Sequence, residues 1–181
     1  MFIYDPRQKV AISNIVSALT FSFSYILIGA LYFPFQLPPV ETVLERFVFT
    51  WKCVLFAAYP LAFGIVAVLV RKLLRPNTLD GEPVTDGSRL DIHIRFVRDT
   101  TPQLVLFTVA VFNAAIFLEG PFMAFVPATT SWFIIARLYY WIAYLINPTQ
   151  RIFGAVASLA PSFFLFIWCT AHVFEQTLLS P

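Results

Sequence analysis

The chain has 181 residues, 59% of them hydrophobic and 12% charged, with a formal net charge of +2 and a mean hydropathy of +0.78. That balance excludes an ordinary water-soluble domain and offers nucleic acid little to hold, because apolar surface on this scale must face lipid or a partner. A hydrocarbon core about 30 Å thick takes roughly 20 apolar residues as helix, so the chain supplies several spans and leaves no room for a separate soluble domain.

Hydropathy windows of about 19 residues pick out five apolar segments, at roughly 10–33, 47–70, 100–118, 129–146 and 152–174. The first follows Arg7 and Lys9, as a signal peptide would, but its apolar run ends in Tyr32-Phe33-Pro34 without a small-x-small cleavage pattern, so it reads as a retained helix. Ser13, Asn14, Ser17, Ser22 and Ser24 make it polar for a lipid-facing span, and one face is expected to pack on other helices. Pro60 is expected to kink the second span. A polar connection at about 71–98 follows, with turn formers at Pro76-Asn77, Asp80-Gly81 and Asp86-Gly87. Gly120-Pro121 ends the third span, and Asn147-Pro148-Thr149 is not a glycosylation acceptor because proline occupies its middle position.

Basic residues alternate sharply between connections. Arg7 and Lys9 precede the first span, Arg71, Lys72, Arg75, Arg89, Arg95 and Arg98 follow the second, and Arg151 lies in the fourth connection. The opposite side holds Arg46, with Lys52 just inside the second span. The positive-inside rule then puts the N-terminus in the cytosol and the C-terminus outside or in a lumen. Cys53 and Cys169 both lie in apolar runs, where a thiol is usually an inert small hydrophobe, and His93 and His172 lack ligand spacing. Neither a disulfide nor a metal site is expected.

Arg137 stands near the middle of the fourth segment, where a charge costs about 2.5 to 3.5 kcal/mol on the insertion scale and must face the bundle interior or a wet cavity. Tyr144 lies seven residues on, on nearly the same helix face, with Tyr140 and Trp141 between, and Arg151 follows beyond Pro148. At the start of the third segment, Arg95, Arg98 and Asp99 form a charged cluster, with Arg95 and Asp99 on one face if helical. Together these residues suit an anion pocket open to the cytosol, with guanidinium forks for carboxylates and tyrosine hydroxyls beside them. The plainer reading has the terminal arginines snorkelling, Asp99 as a cap with Pro102 in the first helical turn, and Arg137 paired with Asn113 or another polar group.

The stretch Ala136-Arg137-Leu138-Tyr139-Tyr140-Trp141-Ile142-Ala143-Tyr144-Leu145, followed by Arg151 and Pro161, resembles the arginine and tyrosine signature of the membrane-associated proteins in eicosanoid and glutathione metabolism, the MAPEG superfamily. Arg95 to Pro102 is similar to that family's second-helix motif, and the likeness covers roughly 47–174. The extra first span looks most like a divergent, mattrin-like branch. The resemblance implies an all-α integral membrane protein in two parts. On that resemblance residues 1–46 are expected to form a cytosolic N-terminus, an added helix and a lumenal connection, and 47–181 a four-helix bundle that trimerises. It also implies glutathione bound near the cytosolic face between subunits, with Arg151 stabilising the thiolate and Arg95, Arg98, Asp99, Arg137, Tyr140 and Tyr144 lining the pocket. A free thiol with pKa near 8.5 is mostly protonated at neutral pH, and an adjacent guanidinium favours its reactive form.

The chain departs from that family in carrying Asp99 and Pro102 where asparagine and glutamate stand, and Ile152 and Phe153 where polar residues follow the arginine. Three functions follow from these readings. One is a glutathione transferase or peroxidase acting on lipophilic electrophiles in an endomembrane. The second is a non-catalytic mattrin-like scaffold with a membrane-protein partner, serving trafficking, secretory granules or receptor turnover. The third is a lipid or small-anion conduit along the Arg137 and Tyr144 stripe, which the lack of an inverted repeat disfavours.

Overall fold

A computed structural model describes residues 6–32, 40–74, 84–85, 87–147 and 150–179. Among them every regular element is a helix: α1 (Pro6–Leu31), α2 (Val43–Ala57), α3 (Tyr59–Leu73), α4 (Arg89–Phe117), α5 (Phe125–Ile146) and α6 (Arg151–Leu179), with a 3-10 turn at Gly120–Ala124 before α5. α2 and α3 run on as one span, so 5 helices are long and apolar enough to cross a membrane. The turn formers at Pro76-Asn77 and Asp80-Gly81, together with Arg75, Pro148 and Thr149, lie outside the described residues.

Local chemistry explains most of the boundaries. Thr42 and Glu45 close a capping box on α2, the Glu45 N–H donating to Thr42 Oγ1 at 3.2 Å and the Thr42 N–H donating to Glu45 Oε2 at 2.9 Å. The second span breaks at Ala58, because Pro60 has no N–H to continue the ladder and instead sits in the first turn of α3. The third span begins well before its apolar run. Gly87 turns the chain at φ +75°, the Ser88 hydroxyl accepts the Asp91 N–H at 3.2 Å, and the Asp91 carboxylate takes the Gly87 N–H at 2.9 Å and the Arg95 Nε–H at 2.9 Å. The polar connection is therefore shorter than the 71–98 expected from hydropathy. Pro102 lies inside α4 and not in its first turn, and Asp99 is a mid-helix residue instead of a cap.

Small residues let the helices approach. α1 lies against α5 and α6 through the fully buried Ala18 and Ser22, with Ala128, Ala136 and Ala157 opposite. The Trp132 indole N–H lies 2.9 Å from Ser22 Oγ and 2.8 Å from the Ala157 carbonyl, so one donor pins all three helices. Of the polar residues noted in α1, Ser22 is buried, whereas Ser13 and Ser24 are exposed. The other face of α1 turns Val16, Phe21, Leu27 and Ile28 outward, as a lipid-facing surface requires.

At the end of the bundle where α4 stops, Arg46 serves a purpose that a charge count does not show. Its guanidinium donates to the carbonyls of Leu118 at 2.8 Å and Ile116 at 3.2 Å and lies 3.5 Å from the Glu119 carboxylate. A cation on the last carbonyls of a helix satisfies orphan acceptors and complements the dipole, and this one is 5% exposed.

Helices α5 and α6 cross closely at Gly154, where an added Cβ would lie 2.7 Å from the backbone of Tyr140. At Gly29 the same addition would meet only the Ala128 Cβ, at an ordinary 3.4 Å. Gly154→Ala is expected to force the helices apart and cost about 1 to 3 kcal/mol, while Gly29→Ala stays within about 0.5 kcal/mol of the parent. Melting curves of the detergent-solubilised variants check this, and equal melting temperatures would refute the close-contact account.

Candidate functional site: an arginine and tyrosine cluster at one end of the bundle

The N-terminal half of α4, the C-terminal half of α5 and the start of α6 converge at one end. Their helical periodicity puts Arg95, Asp99 and Gln103 at successive i, i+4 positions on α4 and Arg137, Tyr140 and Tyr144 on the inner face of α5. Arg137 is fully buried. Its guanidinium lies 2.7 Å from Ser158 Oγ on α6 and 3.4 Å from Thr100 Oγ1 on α4, and it also donates to the side-chain oxygen of Gln103. Ser158 and Gln103 complete the ring at 2.9 Å. All three partners are neutral, and Nε has no partner at all. Asn113 takes no part, because its amide donates to the Val109 carbonyl at 2.8 Å.

Towards the helix ends the contacts continue without a gap. The Arg137 Cζ lies 5.1 Å from the Tyr140 ring centre, the Tyr140 and Tyr144 rings are 6.0 Å apart, and the Arg151 Cζ stands 4.4 Å over the Tyr144 ring. Guanidinium-over-ring contacts are favourable and leave the N–H groups free to donate in the ring plane's surroundings. The Tyr140 hydroxyl donates to Asp99 Oδ2 at 2.7 Å. Arg95 is held by Asp91 and neighbours the Tyr144 hydroxyl.

The two α4 arginines part company. The Arg95 side chain is 35% exposed and turned to the cluster, whereas that of Arg98 is 72% exposed, touching Asp99 at 3.5 Å from outside. Thus Arg95, Asp99, Arg137, Tyr140, Tyr144 and Arg151 are brought together, and Arg98 sits at the rim. Sequence reasoning missed Thr100, Gln103 and Ser158. Gln103 was within reach of the same spacing rule, four residues beyond Asp99, and Ser158 lies seven beyond Arg151. His93 was also passed over, and it accepts the Trp141 indole N–H at 3.0 Å.

Chemically the cluster joins an outward cation, Arg151, with tyrosine hydroxyls and a carboxylate, above a buried cation held by neutral groups. Such a site suits an anion bearing a carboxylate or thiolate more than a metal. Among the described residues no group of three or more His, Cys, Asp or Glu side chains is placed to hold a metal ion. Cys53 and Cys169 are buried and unpaired.

No family model matches the chain, and no solved structure matches it. The chain is similar to transmembrane protein 79 of Mus musculus, 30% identical over 172 residues, which is 91% of this chain and 41% of that protein. Against transmembrane protein 79 of Bos taurus the identity is 28% over 176 residues, 93% of this chain and 42% of that one. It therefore spans about two-fifths of the length of the curated relatives it matches. The apolar helices and these likenesses agree on an integral membrane protein, homologous over most of its length to proteins named transmembrane protein 79.

Proposed function

We propose that the chain is a MAPEG-like membrane protein that binds glutathione at the arginine and tyrosine cluster and presents its thiolate to lipophilic electrophiles or hydroperoxides. The observation that carries this reading is the meeting of Arg95, Tyr140, Tyr144 and Arg151 at one helix end. In the proposed role Arg151 stands beside the sulfur and favours its charged form, while Arg95 takes a peptide carboxylate. Asp99 offers an acceptor for the peptide amine if Tyr140 releases it. The protein supplies position and a positive field, and the nucleophile belongs to glutathione. The same reading carries a homotrimer in an endomembrane, with this end and the N-terminus in the cytosol, where the basic residues gather.

A second reading is favoured by a different observation. Arg137 is already met by Thr100, Gln103 and Ser158, and Tyr140 by Asp99, so much of the cluster is satisfied within the chain. A bundle closed in this way suits a non-catalytic membrane scaffold whose contacts with a partner protein lie elsewhere.

Calorimetric titration of the detergent-purified protein with reduced glutathione separates the two. Saturable binding that Arg151→Ala weakens by about tenfold or more, roughly 1.4 kcal/mol, is expected of the first reading. Heat no larger than dilution at millimolar ligand leaves the scaffold. Arg137→Met gives an independent readout. Removing a buried charge whose neutral partners, Gln103 and Ser158, already bond one another is expected to leave stability within about 1 kcal/mol of the parent. A large loss of melting temperature would mean that the guanidinium itself holds the three helices together.

A further inference from the structure

The corner where α3 ends and α4 begins lies beside the cluster and takes no part in it. Arg71 and Lys72 occupy the last turn of α3, and Arg89 is the first residue of α4. Gly64 of α3 packs against Phe96 and Val97 of α4, an added Cβ there lying 2.7 Å from the Phe96 ring, so the helix ends that carry Arg71 and Arg89 come together, and both charges act on the buried His93 ring although the two are far apart in the chain. Among the described residues none of these three cations has an ion-pair partner, whereas Arg95 and Arg98 pair with Asp91 and Asp99.

The helix dipoles account for only part of this. Cations in the last turn of α3 face its negative end and are stabilised there, but Arg89 sits at the positive end of α4, where a cation is disfavoured. His93 adds one more donor. Its Nδ1 accepts the Trp141 N–H at 3.0 Å, so in the neutral ring the proton is on Nε2, for which the described residues provide no acceptor. The corner thus gathers guanidinium, ammonium and imidazole donors around a site of positive potential, with Asp91 of the same helix turn already committed to Arg95.

What lies beneath the charges identifies the occupant. Leu69, Val70, Leu73 and Leu74 flank Arg71 and Lys72, and each is about half or more exposed, from 47% for Val70 to 70% for Leu73 and Leu74. A free anion would match only the donors, and an acyl chain only the leucines. A glycerophospholipid with an anionic phosphate headgroup matches both, because its phosphate can meet Arg71 and Lys72 while its first methylenes lie along Leu69 and Val70 just before them on the helix. We propose that Arg71, Lys72, Arg89 and His93 form a binding site for the phosphate headgroup of an anionic phospholipid, packed against the apolar end of α3. The site is independent of the glutathione reading, since it uses none of that cluster's residues.

The test uses the full chain in detergent, with dioleoyl phosphatidic acid, dioleoyl phosphatidylcholine or inorganic phosphate as probe, read by native mass spectrometry and by melting temperature. The parent protein is expected to retain phosphatidic acid over phosphatidylcholine. R71Q/R89Q weakens that retention about thirtyfold, roughly fivefold for each cation near the surface, and R89Q alone about fivefold. K9Q removes a cation from the exposed start of α1 and is expected to change nothing. Equal loss in K9Q and R89Q would reduce the effect to general surface charge and overturn the proposal. So would undiminished retention in R71Q/R89Q or, should that variant fail to melt cooperatively, in R89Q. Stabilisation by inorganic phosphate equal to that by the lipid would overturn the assignment to a phospholipid.

Discussion

A fully buried guanidinium inside a helix long and apolar enough to cross a membrane sets the terms for the helices around it. Arg137 carries a charge that lipid solvates poorly, at a cost of about 2.5 to 3.5 kcal/mol, so the surrounding helices must replace water. They do so with Thr100 and Gln103 from α4 and Ser158 from α6, all neutral, which spreads the charge over three helices without the desolvation of a partner carboxylate. The requirement propagates. Ser158 can reach the guanidinium because α6 crosses α5 closely at Gly154, and Gln103 can reach it because α4 is helical through Asp99 and Pro102.

The two ends of the molecule solve similar problems differently. At one end the charges are side chains, Arg95, Asp99 and Arg151, arranged around tyrosine rings that provide both packing surface and hydroxyls. At the other, Arg46 spends its charge on backbone carbonyls left orphaned where α4 stops. The first arrangement leaves a cation, Arg151, over a ring face with donors to spare, and the second consumes its cation in the fold.

Helix α1 is held by another logic. Its contacts with α5 and α6 are made by alanines and Ser22, and a single indole N–H ties the three together. Small side chains gain close van der Waals contact where apolar burial gives no advantage over lipid. Helix α1 is therefore joined to α5 and α6 through small residues along one face.

How much of this was legible in the chain follows from the reach of each physical signal. Spans were readable because a long apolar run has one stable state in lipid, and the break at Pro60 because its missing N–H is local. The capping signal Ser88-Arg89-Leu90-Asp91 was equally local, but a hydropathy window averages over it, so the start of α4 was placed too late. That Arg137 must point inward was forced by its desolvation cost alone, and i, i+4 spacing was enough to put Arg95 with Asp99 and Tyr140 with Tyr144. Which groups would meet Arg137 was not legible, because Thr100, Gln103 and Ser158 are distant in the chain and ordinary in composition. Nor could spacing at a misplaced helix start decide between Arg95 and Arg98; the rotation of α4 against α5 turned the first inward and left the second at the rim. The sequence by itself determined a membrane-spanning helical chain with a costly buried cation, since those are properties of single segments in lipid. The tertiary structure alone decided what neutralises that cation and which arginines share a surface, since both depend on how separate helices cross.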